Sequence, residues 1–279
     1  MSTSEIQALI ALLVDDDPSV REAVEDRLRS IGPPARDALA DATDSDDPKL
    51  RSRARLLEQR FRVAEATVAM ERVLAAPELD LEEACVLLAR IEAPDIDGES
   101  IRAEFERMTE RLSEALNGCR SPRECAESLG RVLGSEEGFE GNAENYYDPG
   151  NSYIHEVLAR KVGIPISLSA VYMIVGRRAG LTLRGVGMPC HFLVHMEDAG
   201  QTFYLDPFAG GRILTGEACR KLLAGFRQSW RDEYLSPVED RDMVRRMMAN
   251  LIHIYQRDGD QARLSRLYGF VNALQGRAT

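Results

Sequence analysis

The chain has 279 residues, 44% of them hydrophobic and 29% charged. That excludes disorder as its main state and gives enough length for about two domains. Forty-six acidic residues outweigh 35 basic ones for a net charge of −11, and the basic residues form no tract longer than pairs such as Arg177–Arg178. Nucleic acid and anionic membranes are therefore not expected partners. Five cysteines without regular spacing (Cys85, Cys119, Cys125, Cys190 and Cys219) predict neither a disulfide framework nor a zinc site. No cofactor is expected. The N-terminus lacks the basic start of a signal peptide, and the longest uncharged stretch, 162–176, is too short to span a bilayer. A cytoplasmic protein is expected.

In chain order, the first segment repeats itself. Asp16-Asp17-Pro18-Ser19-Val20-Arg21 recurs as Asp46-Asp47-Pro48-Lys49-Leu50-Arg51, an aspartate cap followed by a proline that suits the first helical position. The spacing of about 30 residues is short for HEAT repeats, so a HEAT-like pair and an ordinary helical hairpin both fit residues 1–61. From Arg62 to Leu133 the signals stay helical. Asp80 with Glu83 and Ser121-Pro122 with Glu124 have capping-box form. Leu87, Leu88 and Ile91, then Phe105, Met108 and Leu112, recur at helical spacing. Cys85, Cys119 and Cys125 read as small packed hydrophobes.

At Gly138 the texture changes. Asn145-Tyr-Tyr-Asp-Pro-Gly-Asn151 is a turn-rich loop. Ser152 is expected to cap a helix to Lys161, with Gly163 ending it. A second helix starts at Pro165, runs to about Ala179 and is apolar on nearly every side, so it must be central. Leu183–Gly187, Cys190–His195 and Thr202–Asp206 read as strands, the last two as a hairpin. Gly210-Gly211 reads as a tight turn. Ser236-Pro237 with Glu239 is expected to cap a helix, and Met243–Arg257 with Ala262–Ala273 forms a pair that resembles a tetratricopeptide hairpin.

If the hairpin closes around Asp198 and Ala199, His191 lies opposite Asp206, with Cβ atoms roughly 5 Å apart. A carboxylate so placed orients an imidazole as a general base. A nucleophile at the N-terminus of the Pro165 helix would face that pair, which is the arrangement of papain-like and transglutaminase-like cysteine enzymes.

Several motifs in order strengthen that comparison. Asn145–Ile154, Val157-Leu158, Gly163-Ile-Pro-Ile-Ser-Leu-Ser169, Gly185-Val-Gly-Met-Pro-Cys-His-Phe-Leu-Val194 and Leu205-Asp-Pro-Phe-Ala-Gly-Gly211 resemble the successive signatures of the SirB-type transglutaminase-like family. The likeness covers roughly residues 65–275 and is densest between 139 and 211. It implies an α+β fold, mostly helical, with a small antiparallel sheet in a transglutaminase-like (papain-like) core. Helical-repeat segments would flank that core, dividing the chain at 1–61, 62–235 and 236–279.

The resemblance also exposes a departure. Active transglutaminases carry a cysteine at the start of the central helix, and counting back from Gly180-Leu181 puts Pro165 in its place. His191 and Asp206 match the other two triad positions. Cys190 is expected to point away from His191 into packing with Phe192 and Val194. Ser167 could reach His191, although a hydroxyl in a first helical turn more often bonds backbone. His195 is expected to be exposed, and His155 to lie on the surface. Asn145, Asp148 and Asn151 should hold their loop first, and with Pro165 could line a cleft that takes a peptide.

Three functions follow as expectations. The first is a non-catalytic transglutaminase-like protein that binds a protein or peptide partner. The second is a hydrolase or acyltransferase using Ser167 with His191 and Asp206. The third is a scaffold in which the pair only braces the hairpin.

Overall fold

A computed structural model describes residues 3–276. Its helices and strands, in chain order, are α1 (Thr3–Ala11), α2 (Pro18–Ile31), α3 (Pro33–Ala42), α4 (Pro48–Ala75), α5 (Leu81–Glu92), α6 (Gly98–Leu116), α7 (Pro122–Gly130), β1 (Glu140–Gly141), α8 (Ile154–Arg160), β2 (Val162–Gly163), α9 (Pro165–Arg178), β3 (Leu183–Val186), β4 (Leu193–Asp198), β5 (Gln201–Asp206), β6 (Arg212–Leu214), α10 (Gly216–Gly225), β7 (Pro237–Val238), α11 (Asp240–Asp258) and α12 (Gln261–Leu274). The fold is α+β and mainly helical, as the sequence predicts. The residues group into two units, one of residues up to 68 with 90–96, the other of 69–89 with the chain from 97 onward.

In the first unit the repeated motif works as read. Asp17 accepts the Ser19 N–H at 2.8 Å, and Asp47 accepts that of Lys49 at 2.8 Å. Proline follows each aspartate, so an N–H that no helix could satisfy is simply absent. Ile6, Ile10, Leu28, Leu39, Leu57 and Phe61 form the core of this unit.

The second unit is built around α9. Every side chain from Pro165 to Ile174 is buried, which is the consequence of an apolar surface on all sides of one helix. The helix packs against β3, β4, α6 and the Pro207–Ala209 turn. The sheet has the order β6-β5-β4-β3-β7 with antiparallel neighbours throughout. A separate parallel pair joins β1 to β2.

Several local expectations are corrected. The hairpin turns at Ala199-Gly200, not Asp198-Ala199. Asp198 pairs with Gln201, and both turn residues have positive φ, 47° and 75°, the signature of a type I′ turn that matches strand twist. The helix expected from Ser152 begins at Ile154, and Ser152 instead follows a 3₁₀ turn over Pro149–Asn151. That helix ends at Lys161, in left-handed conformation at φ 59°, while Gly163 lies in β2. Ser236-Pro237 caps no helix, because Pro237 opens the edge strand β7, where a missing N–H is tolerated. α11 starts after Glu239 instead.

A close backbone contact seats the loop that follows β5. A Cβ on Gly134 would lie 2.0 Å from the Gly210 carbonyl oxygen, and one on Gly130 would lie 2.5 Å from that of Gly211. Gly134 belongs to a π-helical turn, Arg131–Glu136, continuing α7. Only glycine lets these two backbones approach so closely.

Candidate functional site

The site forms where β5 ends. Asp206 is the last residue of β5 and His191 sits just before β4, in a turn closed by the His191 N–H donating to the Met188 carbonyl at 3.2 Å. His191 Nε2 and Asp206 Oδ1 are 2.9 Å apart, and the residues are 4% and 2% exposed. The expected pairing is present, but not for the expected reason. The observed register sets Asp206 two positions past its anticipated partner, at the level of Leu193. The bend at Cys190, with φ 61°, brings His191 back to the carboxylate. An even shift also leaves the side-chain alternation unchanged. With Asp206 accepting from Nε2, Nδ1 is the ring nitrogen left for other work.

Aromatic side chains enclose the imidazole. Phe226 stacks on it with centroids 6.2 Å apart, and Phe208 meets it edge-on at 6.0 Å. Arg246 Nη2 donates to the His191 carbonyl at 2.8 Å while its guanidinium lies over the Phe192 ring. Tyr172, on α9, points its buried hydroxyl at Gly211 and has no hydrogen-bond partner among the described residues. Burial, with the Asp206 charge second, pushes its ionisation above the usual phenol range. None of Phe208, Phe226, Arg246 and Tyr172 stood out as a site residue in the sequence. Only Phe208 lay in a recognised motif, and Arg246 is 55 positions from its partner.

Ser167 is fully buried and occupied. Its hydroxyl accepts the Ile164 N–H at 3.2 Å and lies 2.5 Å from the Asn151 carbonyl, to which it donates. It therefore ties the start of α9 to the preceding loop. Pro165 is buried in the first turn of α9 and offers neither proton nor lone pair.

Of the predicted loop residues, Asn151 is wholly buried. Its amide donates to the carbonyls of Asn145 and Tyr146 and accepts from Asn142 and Arg160. Asp148 caps the Gly150 N–H and pairs with Arg160 at 2.7 Å. Burial pushes its carboxyl up, and these donors outweigh that to leave it below the ordinary range. Asn145 is exposed. The loop reaches the His–Asp pair through Tyr146, whose ring lies 6.3 Å from Phe208.

Three further expectations change. Cys190 is exposed, not packed, because β4 begins only at Leu193 and strand alternation does not extend back to it. His195 is buried against Tyr204, its cross-strand partner, and burial lowers its basicity. His155 is also mostly covered, its side chain 9% exposed. Cys219, in the core beneath the sheet, is pushed up to about 11 by burial, with the Asp206 charge second, so it is a protonated thiol at neutral pH.

Residues 99–249, more than half of the 279, match the transglutaminase-like superfamily. The chain belongs to that superfamily. This transglutaminase-like chain is 35% identical over 184 residues to a UPF0162 protein of Xylella fastidiosa, covering 63% of this chain and 65% of that protein. A UPF0162 protein of Vibrio cholerae is 28% identical over 177 residues, 62% of this chain and 65% of its own. The human F-box only protein 21 is 28% identical over 193 residues, 59% of this chain but 30% of its own length. The chain thus spans less than two thirds of the length of these relatives. No solved structure matches it. Among the described residues, no cluster of three or more His, Cys, Asp or Glu could hold a metal ion. No helix among them is long and apolar enough to cross a membrane.

Proposed function

We propose that this transglutaminase-like chain is non-catalytic and serves as a protein-interaction or regulatory module around a retained His191–Asp206 pair. The observation that carries this reading is Pro165 in the first turn of α9, where the family resemblance sets the attacking thiol. Proline has nothing to deprotonate, so at that position the retained general base has no nucleophile to activate. The hydroxyl nearest in sequence, Ser167, already bonds the Ile164 N–H and the Asn151 carbonyl. Attack through it would break both and leave a buried N–H without a partner. Further in this proposal, the chain is of the SirB type and cytoplasmic, and its partner is a protein or peptide. The first helices, 1–61, act as HEAT-like hairpins, 62–235 as the core and 236–279 as a tetratricopeptide-like hairpin. A cleft rim at Asn145 and Asp148 fits this role, as does the presence of the aligned region within the longer F-box only protein 21.

Labelling with a fluorophosphonate probe tests the assignment against its rival, a Ser167 hydrolase. The expected outcome is no adduct at Ser167 in the folded protein. An adduct mapped to Ser167 and lost in both Ser167→Ala and His191→Ala would establish the serine enzyme instead.

A further inference from the structure

One face of α11 begins at Arg246, whose Nη2 meets the His191 carbonyl, and runs on to residues that do not touch the His–Asp pair. Arg246, Asn250, His253 and Arg257 follow each other at spacings of four, three and four, which places them in one stripe along the helix. Tyr147 lies across this stripe, with its ring 5.9 Å from that of His253 and 4.9 Å from the Arg257 guanidinium carbon. Tyr146 continues the surface to Phe208 and so to His191.

Two features mark the stripe. Among the described residues, Arg246 and Arg257 have no carboxylate partner, unlike Arg160, which pairs with Asp148, and Arg177, which pairs with Asp240; Arg246 holds only the neutral His191 carbonyl. Arg246 is half-buried, and burial lowers its affinity for its proton. A desolvated cation without a counter-charge is unfavourable until an anion meets it. Beside it, Tyr147 and Tyr146 are 53% and 37% exposed, high for large aromatic rings that carry no role in the core. Exposed tyrosines with arginines are the composition of recognition surfaces.

We infer that the α11 stripe, with Tyr146 and Tyr147, binds an extended acidic peptide segment whose carboxylates meet Arg246 and Arg257. The inference rests on the interaction-module reading and supplies that module's ligand class. Eleven residues of helix separate the arginines by about 16 Å, the length of about five residues of extended chain. The peptide therefore carries two acidic residues about five positions apart, and it passes beside the His191 turn. The tyrosine rings supply apolar contact between the two charge contacts.

Fluorescence anisotropy on the whole chain tests this directly. The probe is a labelled Ser/Ala peptide with two glutamates about five residues apart, and the control is its glutamine counterpart. The glutamate peptide binds and the control does not. Arg257→Gln and Arg246→Lys each weaken binding about tenfold or more, since a bidentate guanidinium contact is lost. Arg220→Gln, at a cation that pairs with Asp232, leaves binding unchanged. Arg257 is exposed, so its variant remains informative if the Arg246 variant folds poorly. Equal binding of both peptides, no binding up to about 1 mM, or unchanged affinity in Arg257→Gln overturns the inference. Tighter binding of an RNA oligonucleotide than of the glutamate peptide also overturns it. Discovery of turnover at the His–Asp pair would defeat the non-catalytic reading while leaving this titration unaffected, so the two failures are distinguishable.

Discussion

Replacing Asp206 with alanine is expected to lower the stability of the fold by about 3 kcal/mol, because it strands a buried polar ring. His191 is 4% exposed and its Nε2 meets Asp206 Oδ1 at 2.9 Å. Without the carboxylate that nitrogen loses its hydrogen-bond partner in a ring that is almost wholly buried and packed against Phe208 and Phe226. For a chain of this size that loss is a fall in melting temperature of roughly 6–12 °C. Asp206→Asn keeps a hydrogen-bonding oxygen and the volume, so its loss should be nearer 1 kcal/mol. Calorimetry on the two variants measures both values. A melting temperature unchanged in Asp206→Ala would mean that the pair does not hold the end of the sheet together.

Gly134→Ala is expected to be comparably damaging, and with the opposite sign from the same change in an ordinary helix. Glycine in a helix normally costs about 0.5–1 kcal/mol relative to alanine. Gly269, in α12, has nothing within 4 Å of where its Cβ would stand, so Gly269→Ala should stabilise by about that amount. At Gly134 the added carbon would sit 2.0 Å from the Gly210 oxygen and 2.5 Å from its carbonyl carbon. Both atoms are backbone, and Gly210 is held by its neighbour's contact with Gly130. Relief requires moving the whole Pro207–Gly211 loop away from α7. Overpacking of this kind costs about 3 kcal/mol or more, well beyond the gain in helix propensity. The loop also follows Asp206, so the His191–Asp206 distance should lengthen with it. Denaturant unfolding of Gly134→Ala beside Gly269→Ala tests the sign of each. Destabilisation of both by the same amount would contradict the packing argument.

The parts of this fold that were legible in the sequence are those governed by neighbours in the chain. Asp17-Pro18 and Asp47-Pro48 announce their helices because a cap and its N–H are two residues apart. The central position of α9 followed from apolar residues on all its sides. The hairpin strands were legible too, but the turn was misplaced by one residue at each end. Ala199 in the left-handed region was less obvious than Asp198 as a turn former. The His191–Asp206 pairing survived that error because the Cys190 turn supplied a bend that no strand pattern encodes. What was missed depends on distant segments. Arg246 reaches His191, Tyr172 reaches Gly211, and β7 reaches β3, and none of these leaves a periodic trace. The burial of His195 against Tyr204 likewise depends on how neighbouring elements cover the sheet. Exposure of Cys190 has a local cause, its left-handed backbone, which the cysteine itself did not advertise.

The central claim is that an oriented imidazole is present, while Pro165 at the head of α9 supplies no nucleophile and the Ser167 hydroxyl is already bonded. Its most direct test is acyl transfer and hydrolysis by the purified chain, with a glutamine-containing peptide and a primary amine, and with an activated ester, each compared with His191→Ala. Rates equal to those of the His191→Ala protein are expected for every substrate. Turnover that saturates with substrate and disappears in His191→Ala would contradict the claim.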